Sequence, residues 1–417
     1  QLNARRQPYG QGADLSLLNE SVGNEVLAFH QKFPDYRVTP LRKLEFLSQR
    51  LGLGSIHIKD EAQRFGLNAF KGLGGSYAMG KYLAALLERD INTLSFAELN
   101  SPVIKARIKE IVFVTATDGN HGRGVAWAAE QLGLRAVVYM PKGSSPVRAQ
   151  NIRRHGAECT ITELNYDDTV RLAAKTAREQ GWVLLQDTAW QGYEQIPTWI
   201  MQGYMTLAVE IWQRRAESGA SMPTHLFLQA GVGSFAGSIM GYFIEKMQLQ
   251  APTIIIVEPH KANCLFRSAT INDGLPHSVG GDMSTLMAGL ACGEPNITSW
   301  PMLRDHATCF ISADDCLAAN GMRLLAAPRP GTDEPFVSGE SGAIGTGVLY
   351  ALMTQPAYRE LAESLRLNAD AQVLLISTEG DTSPDVYEDI VWFGQFSTSP
   401  STGMFIIFAM LKAFLTI

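Results

Sequence analysis

The feature that most constrains this chain is an alternation: short, apolar, β-branched runs followed by stretches with helical spacing, recurring from residue 56 to residue 376 of 417. The runs 56–59, 111–115, 136–140, 160–162, 183–186, 226–229, 253–257 and 373–376 lack the inside–outside alternation of a half-solvated strand. Strands apolar on both faces are what a parallel sheet covered by helices on both sides requires. Between them, 122–132, 167–180, 197–216 and 233–247 carry helical spacing, and Asp167 and Asp168 ahead of Arg171 form the acid-first order that suits a helix start. The pattern predicts an α/β protein of βαβ units, with open, mostly parallel twisted sheets covered by helices. No repeat of solenoid length interrupts it.

A chain of 417 residues exceeds one ordinary domain of about 100–200 residues, so two domains are expected. Residues 1–100 and 196–394 read as the larger, 101–195 as a smaller α/β domain inserted between them, and 395–417 as an apolar tail of unknown role. At 46% hydrophobic and 18% charged residues the chain can bury a large core, which excludes disorder. Thirty-five Lys and Arg against 41 Asp and Glu give a net charge of −6, too mild and of the wrong sign for a nucleic-acid or anionic-membrane partner. The five cysteines form no CxxC pair and no disulfide scaffold, and neither metal-ligand spacing, a GxSxG elbow nor a P-loop occurs. The chain opens on Gln1 rather than Met, which leaves room for residues ahead of it, and no signal or transit pattern is visible; a cytoplasmic location is expected. The stretch 404–417, MFIIFAMLKAFLTI, is too short for the roughly 20 residues that span a bilayer, so it reads as a surface-seeking amphipathic helix or as an aberrant end.

Glycine is abundant, at 38 residues, and it gathers at turns near strand ends, where open α/β sheets bind ligands. In the segment 68–77, NAFKGLGGSY, Lys71 stands among apolar residues and glycines. Desolvation favours the neutral amine, the form that makes a Schiff base, although a surface lysine at a helix start fits the same string. The segment 115–124, TATDGNHGRG, lets backbone N–H groups approach an anion at a helix start. Within it Asn120 can donate to a ring oxygen, His121 can serve as a structural hydrogen-bonder or as an acid–base group, and Asp118 would attract a cation or act as a base. The segment 229–238, QAGVGSFAGS, predicts a phosphate cup from backbone donors and the hydroxyls of Ser234 and Ser238. Its Gly231-x-Gly233-x-x-Ala236 pattern also formally fits a dinucleotide fingerprint, but the next strand-end acid, Glu258, lies 27 residues from Gly231 rather than about 20. In the segment 377–382, STEGDT, a hydroxyl just past a buried strand can meet a heterocyclic nitrogen or simply cap a turn.

A reactive lysine, an Asn-bearing glycine loop, a phosphate cup and a late hydroxyl, in that order, resemble the fold-type II pyridoxal-phosphate enzymes. Threonine and serine dehydratases, cysteine synthase and the tryptophan synthase β subunit belong to that family. The strings 64–79, 117–134, 139–145, 165–174, 186–205, 229–235, 280–296, 338–346 and 376–382 carry the resemblance, which spans about Tyr36 to Gly394 and fades beyond it. They are most similar to members that eliminate ammonia from 2,3-diaminopropionate. The resemblance implies that Lys71 holds pyridoxal 5′-phosphate and that Asn120 faces its phenolic oxygen. Gly231, Val232, Gly233, Ser234 and Phe235 would bind its phosphate. Ser377, or failing that Thr378, would meet the pyridine nitrogen, an uncharged contact that favours β-elimination over transamination.

The dehydratases carry a hydroxyl residue where Asp118 stands, and that difference matches a substrate with a β-ammonium group. Asp187 would supply a second carboxylate, against the alternative of a partly exposed strand-end Asp. Lys71 and Asp118, as bases on opposite faces, would let both enantiomers react, giving pyruvate and two ammonia. The resemblance further implies a small-molecule amino-acid substrate, no metal, no membrane and a homodimer. Cys264 and Cys292 sit in family-like strings, where a bridge is conceivable, but free thiols are the default in a reducing cytoplasm. Two rival readings remain: a serine/threonine dehydratase-like or cysteine-synthase-like enzyme, and a nucleotide-binding protein that uses the 231–236 loop without catalysis.

Overall fold

The computed structural model describes residues 1–117 and 119–397. Among them ten strands form: β1 (Leu41–Lys43), β2 (Ser55–Asp60), β3 (Val112–Ala116), β4 (Arg135–Met140), β5 (Glu158–Ile161), β6 (Val183–Leu184), β7 (His225–Gln229), β8 (Thr253–Pro259), β9 (Cys309–Ala313) and β10 (Gln372–Ser377). They make one six-stranded sheet, ordered β1-β2-β10-β7-β8-β9, and one four-stranded sheet, ordered β5-β4-β3-β6. Every pairing is parallel except that of β1 with β2. All residues of β3 and β7 are buried, which is why no alternation shows in their sequences.

All eight expected runs contribute to strands, although 183–186 contracts to the two residues of β6. The edge strands β1 and β9 are additions. β1 is the tripeptide LRK, too polar and short to stand out, and pairing with β2 holds it in place. β9 is half-buried at Ile311 and Ser312, so its apolar run is broken. The expected helices form as Asn120–Leu132, Tyr166–Gln180, Gln195–Glu217 and Ser234–Met247, each within three residues of its expected ends. No helix among the described residues is long and apolar enough to cross a membrane. The stretch 404–417 and Asp118 lie outside the described residues.

Two features of this fold place the site. Parallel pairing sets Asp60 of β2 beside Ser377 of β10, so the chain leaves both strands at the same edge. The two exits stay together: Phe70 N donates to Thr378 O at 3.1 Å and Gly380 N to Asn68 O at 3.0 Å. The segment between β2 and Lys71 passes through left-handed backbone at Phe65 (φ 52°) and Asn68 (φ 57°), which side-chain-bearing residues adopt at a cost. A buried charge network pins it. Arg64 reaches Glu210 through Nη1 and Nη2, both at 2.8 Å, and Glu61 through Nε at 2.8 Å, while Lys59 Nζ lies 2.6 Å from Glu210 Oε2. These groups are at most 1% exposed, so only mutual pairing makes their burial tolerable.

Candidate active site

Lys71 occupies the N-cap of the helix Gly72–Leu86, which packs closely on the helix Gln195–Glu217. The approach depends on glycine: a Cβ on Gly203 would stand 2.6 Å from Leu73 O. Lys71 is thereby held on the wall of a cavity. Its Nζ lies 2.5 Å from Asp187 Oδ2, with side chains 18% and 7% exposed, so the reading of Asp187 as a partly exposed strand-end residue does not hold. Burial opposes ionisation of Asp187, but the Lys71 ammonium outweighs burial and holds the carboxyl at about 2.

Asn120 opens the helix Asn120–Leu132 and lines the same cavity. Its loop is shaped by Thr117, whose Oγ1 accepts from Gly119 N at 2.9 Å and Gly122 N at 3.0 Å. His121 is buried, its Nε2 at 2.8 Å from Leu185 O and its Nδ1 at 3.9 Å from Asp187 Oδ2. Burial pushes its pKa down, so a neutral ring that donates from Nε2 to the carbonyl is favoured, in keeping with a structural role. Asp118, the proposed second base, lies outside the described residues.

Gly231, Val232, Gly233, Ser234 and Phe235 line the opposite wall, at the N-terminus of the helix Ser234–Met247. Gly233 is its N-cap at φ +102°, a conformation open to glycine, and no side chain caps the helix. Backbone N–H groups and the positive end of the helix dipole therefore face the cavity. Ser234 Oγ donates to Asp187 O at 2.6 Å and receives Asn296 Nδ2 at 2.7 Å, and Ser238 Oγ donates to Met201 O at 2.6 Å. Both hydroxyls are engaged by protein, and the backbone N–H groups of the helix start are left facing the cavity.

Of the two candidate hydroxyls after β10, Thr378 lines the cavity and Ser377 does not. Ser377 Oγ donates to Ser338 Oγ at 2.7 Å, whereas Thr378 Oγ1 accepts from Gln229 Nε2 at 3.1 Å and keeps its own proton to give. Cys264 and Cys292 are free thiols. No group of three His, Cys, Asp or Glu able to hold a metal ion occurs among the described residues.

Sequence reasoning assigned no role to Glu379, Gln229 or Ser341, all on the cavity wall. Glu379 Oε2 accepts from Asn120 Nδ2 at 2.5 Å, and Oε1 from Ser341 N at 3.0 Å. Gln229 Oε1 and Ser341 Oγ are buried with no hydrogen-bond partner among the described residues. A polar residue closing the apolar run 226–228, as Gln229 does, is the signal that could have singled it out.

The residues 32–379 match the family described as pyridoxal-phosphate dependent enzymes. A curated relative, the diaminopropionate ammonia-lyase of Salmonella typhimurium, is 73% identical over 395 residues, covering 95% of this chain and 98% of the relative. The solved structure of the holo diaminopropionate ammonia lyase from Escherichia coli superposes with a TM-score of 0.89 at 48% identity, covering 96% of this chain and 98% of that one. The same Escherichia coli enzyme in complex with an aminoacrylate–PLP azomethine reaction intermediate gives a TM-score of 0.87, with the same identity and coverage. The cavity fits pyridoxal phosphate: it joins an amine, an uncapped helix N-terminus for a phosphate, and unpartnered polar atoms that await a ligand. The chain belongs to the pyridoxal-phosphate dependent enzymes of fold type II and, among them, to the diaminopropionate ammonia-lyase family.

Proposed function

We propose that this protein eliminates ammonia from both enantiomers of 2,3-diaminopropionate, giving pyruvate and two ammonia with uptake of one water. The observation that carries the reading is the Lys71–Asp187 pair facing an uncapped helix N-terminus across one cavity. Pyridoxal phosphate, when bound, supplies an electron sink for the pair left at Cα when its proton is lost. Lys71 is the attachment point, and the main chain of 231–235 holds the phosphate. Asn120 would face the phenolic oxygen, and the Thr378 hydroxyl would meet the pyridine nitrogen, an uncharged contact.

The amine of Lys71, once free, takes the Cα proton on one face, and Asp118 takes it on the other. Asp187 holds the Lys71 ammonium in the cofactor-free site and offers a carboxylate to the cationic β-substituent, which leaves as ammonia. Of the described residues that line the cavity, one is a cation and two are carboxylates, Asp187 and Glu379, a balance that suits a substrate with two ammonium groups. The division of strands between two sheets supports reading 1–100 with 196–394 as one domain and 101–195 as another, with the site where they meet. A cytoplasmic homodimer completes the reading.

Turnover of each enantiomer of 2,3-diaminopropionate, set beside turnover of serine, tests it. Both enantiomers are expected to exceed serine in kcat/KM, and Asp118→Asn to impair one enantiomer selectively. A preference for serine would point to a dehydratase instead.

A further inference from the structure

We infer that Glu379 is a positioning residue that sets which end of the Asn120 amide faces the cofactor. This inference rests on the reading of Asn120 given above and adds to it a residue to which that reading gives no such task.

An ionised carboxylate accepts hydrogen bonds and donates none, so a neighbouring amide must turn its NH₂ toward it. Glu379 is 1% exposed, and both its oxygens are committed: Oε2 to Asn120 Nδ2 at 2.5 Å and Oε1 to the backbone Ser341 N at 3.0 Å. Ser341 N belongs to the first turn of the helix Glu340–Thr354, so one carboxylate caps that helix and orients Asn120 together. With one Nδ2 proton given to Glu379, the other remains for the phenolic oxygen, and an amide turned end for end would set its carbonyl against Glu379. The contact joins the helix that follows β3 of the four-stranded sheet to the loop that follows β10 of the six-stranded sheet, so it also fixes Asn120 across the cavity. The adjacent Glu340 carboxyl is buried and pushed up to about 7, by burial first and then by the charge of Glu379.

Glu379→Gln keeps the shape but cannot satisfy both donors. One of its two terminal atoms becomes an NH₂ that faces either Asn120 Nδ2 or Ser341 N, and the amide of Asn120 is free to turn. The test is a double-mutant cycle of Glu379→Gln and Asn120→Ala, read as the affinity of the apoenzyme for pyridoxal phosphate by visible-band titration, as kcat/KM, and as Tm. Glu379→Gln is expected to lose about tenfold in cofactor affinity, as for a charged hydrogen bond. The double variant is expected to bind no more weakly than Asn120→Ala alone, because Glu379 acts through Asn120. Losses that add in the double variant overturn the inference, as does a Glu379→Gln protein with wild-type affinity beside an impaired Asn120→Ala. If Asn120→Ala itself bound the cofactor normally, the role given to Asn120 would fall first, and with it this inference. Should Glu379→Gln not fold, Glu379→Asp, which keeps the acceptor and shortens its reach, takes its place in the same cycle under the same criteria.

Discussion

Replacing Asp187 by Asn removes the charge that holds Lys71 while leaving volume and most contacts in place. The magnitude follows from the carboxyl, held at about 2 against an ordinary 3.8 although burial pushes the other way. A net displacement of nearly two pH units is worth about 2–3 kcal/mol, which the attraction of the Lys71 ammonium must exceed because burial opposes it. Coupling is reciprocal, so the same free energy favours the ammonium form of Lys71. In Asp187→Asn the amine should therefore lose its proton more readily. The assay is the rate at which apoenzyme takes up pyridoxal phosphate, followed by its visible band across pH, since only the neutral amine attacks the aldehyde. The rising limb of that profile is expected to move to lower pH in the variant. A limb that stays in place would refute the argument, because it would mean that the 2.5 Å pair carries no charge coupling.

Three further outcomes are expected. His30 is fully buried, and burial first, with Arg64 second, holds its pKa at about 3. Unfolded chains take up a proton below about 6.5 and the folded one does not, so stability present above that value is lost as pH falls toward 3. Wild type should lose about 2 kcal/mol more than His30→Asn between pH 6.5 and 5 in denaturant titrations. Glu210→Ala leaves Lys59 and Arg64 buried without their carboxylate and should destabilise by about 3–5 kcal/mol, read as a fall in denaturant midpoint. Thr378→Val should weaken cofactor binding severalfold while Ser377→Ala leaves it nearly unchanged, as judged by titration of apoenzyme.

The fold was legible because its strands are buried on both faces and its glycines mark the strand ends. Eight runs and four helices could be placed from spacing alone, whereas β1 could not, since a polar tripeptide becomes a strand only by pairing with β2. The site was legible where a residue type is unusual in its setting: Lys71 among apolar residues, Gly231 and Gly233 before a helix. It was illegible where function is shared out by three-dimensional hydrogen bonding. Nothing in the string STEGDT tells that Thr378 rather than Ser377 reaches the cavity, because the choice is made by Ser338, 39 residues earlier. Likewise the hydroxyl of Ser234 suits a phosphate cup, yet Asp187 and Asn296 claim it. Glu379 escaped for the same reason, its partners being 259 and 38 residues away.

The most direct test of the central claim is borohydride reduction of the yellow holoprotein, followed by digestion and mass analysis of the labelled peptide. A visible band that disappears on reduction, with a reduced pyridoxyl-phosphate group on the peptide carrying Lys71, is the result this account requires. A colourless protein, or a label on a lysine other than Lys71, would contradict it.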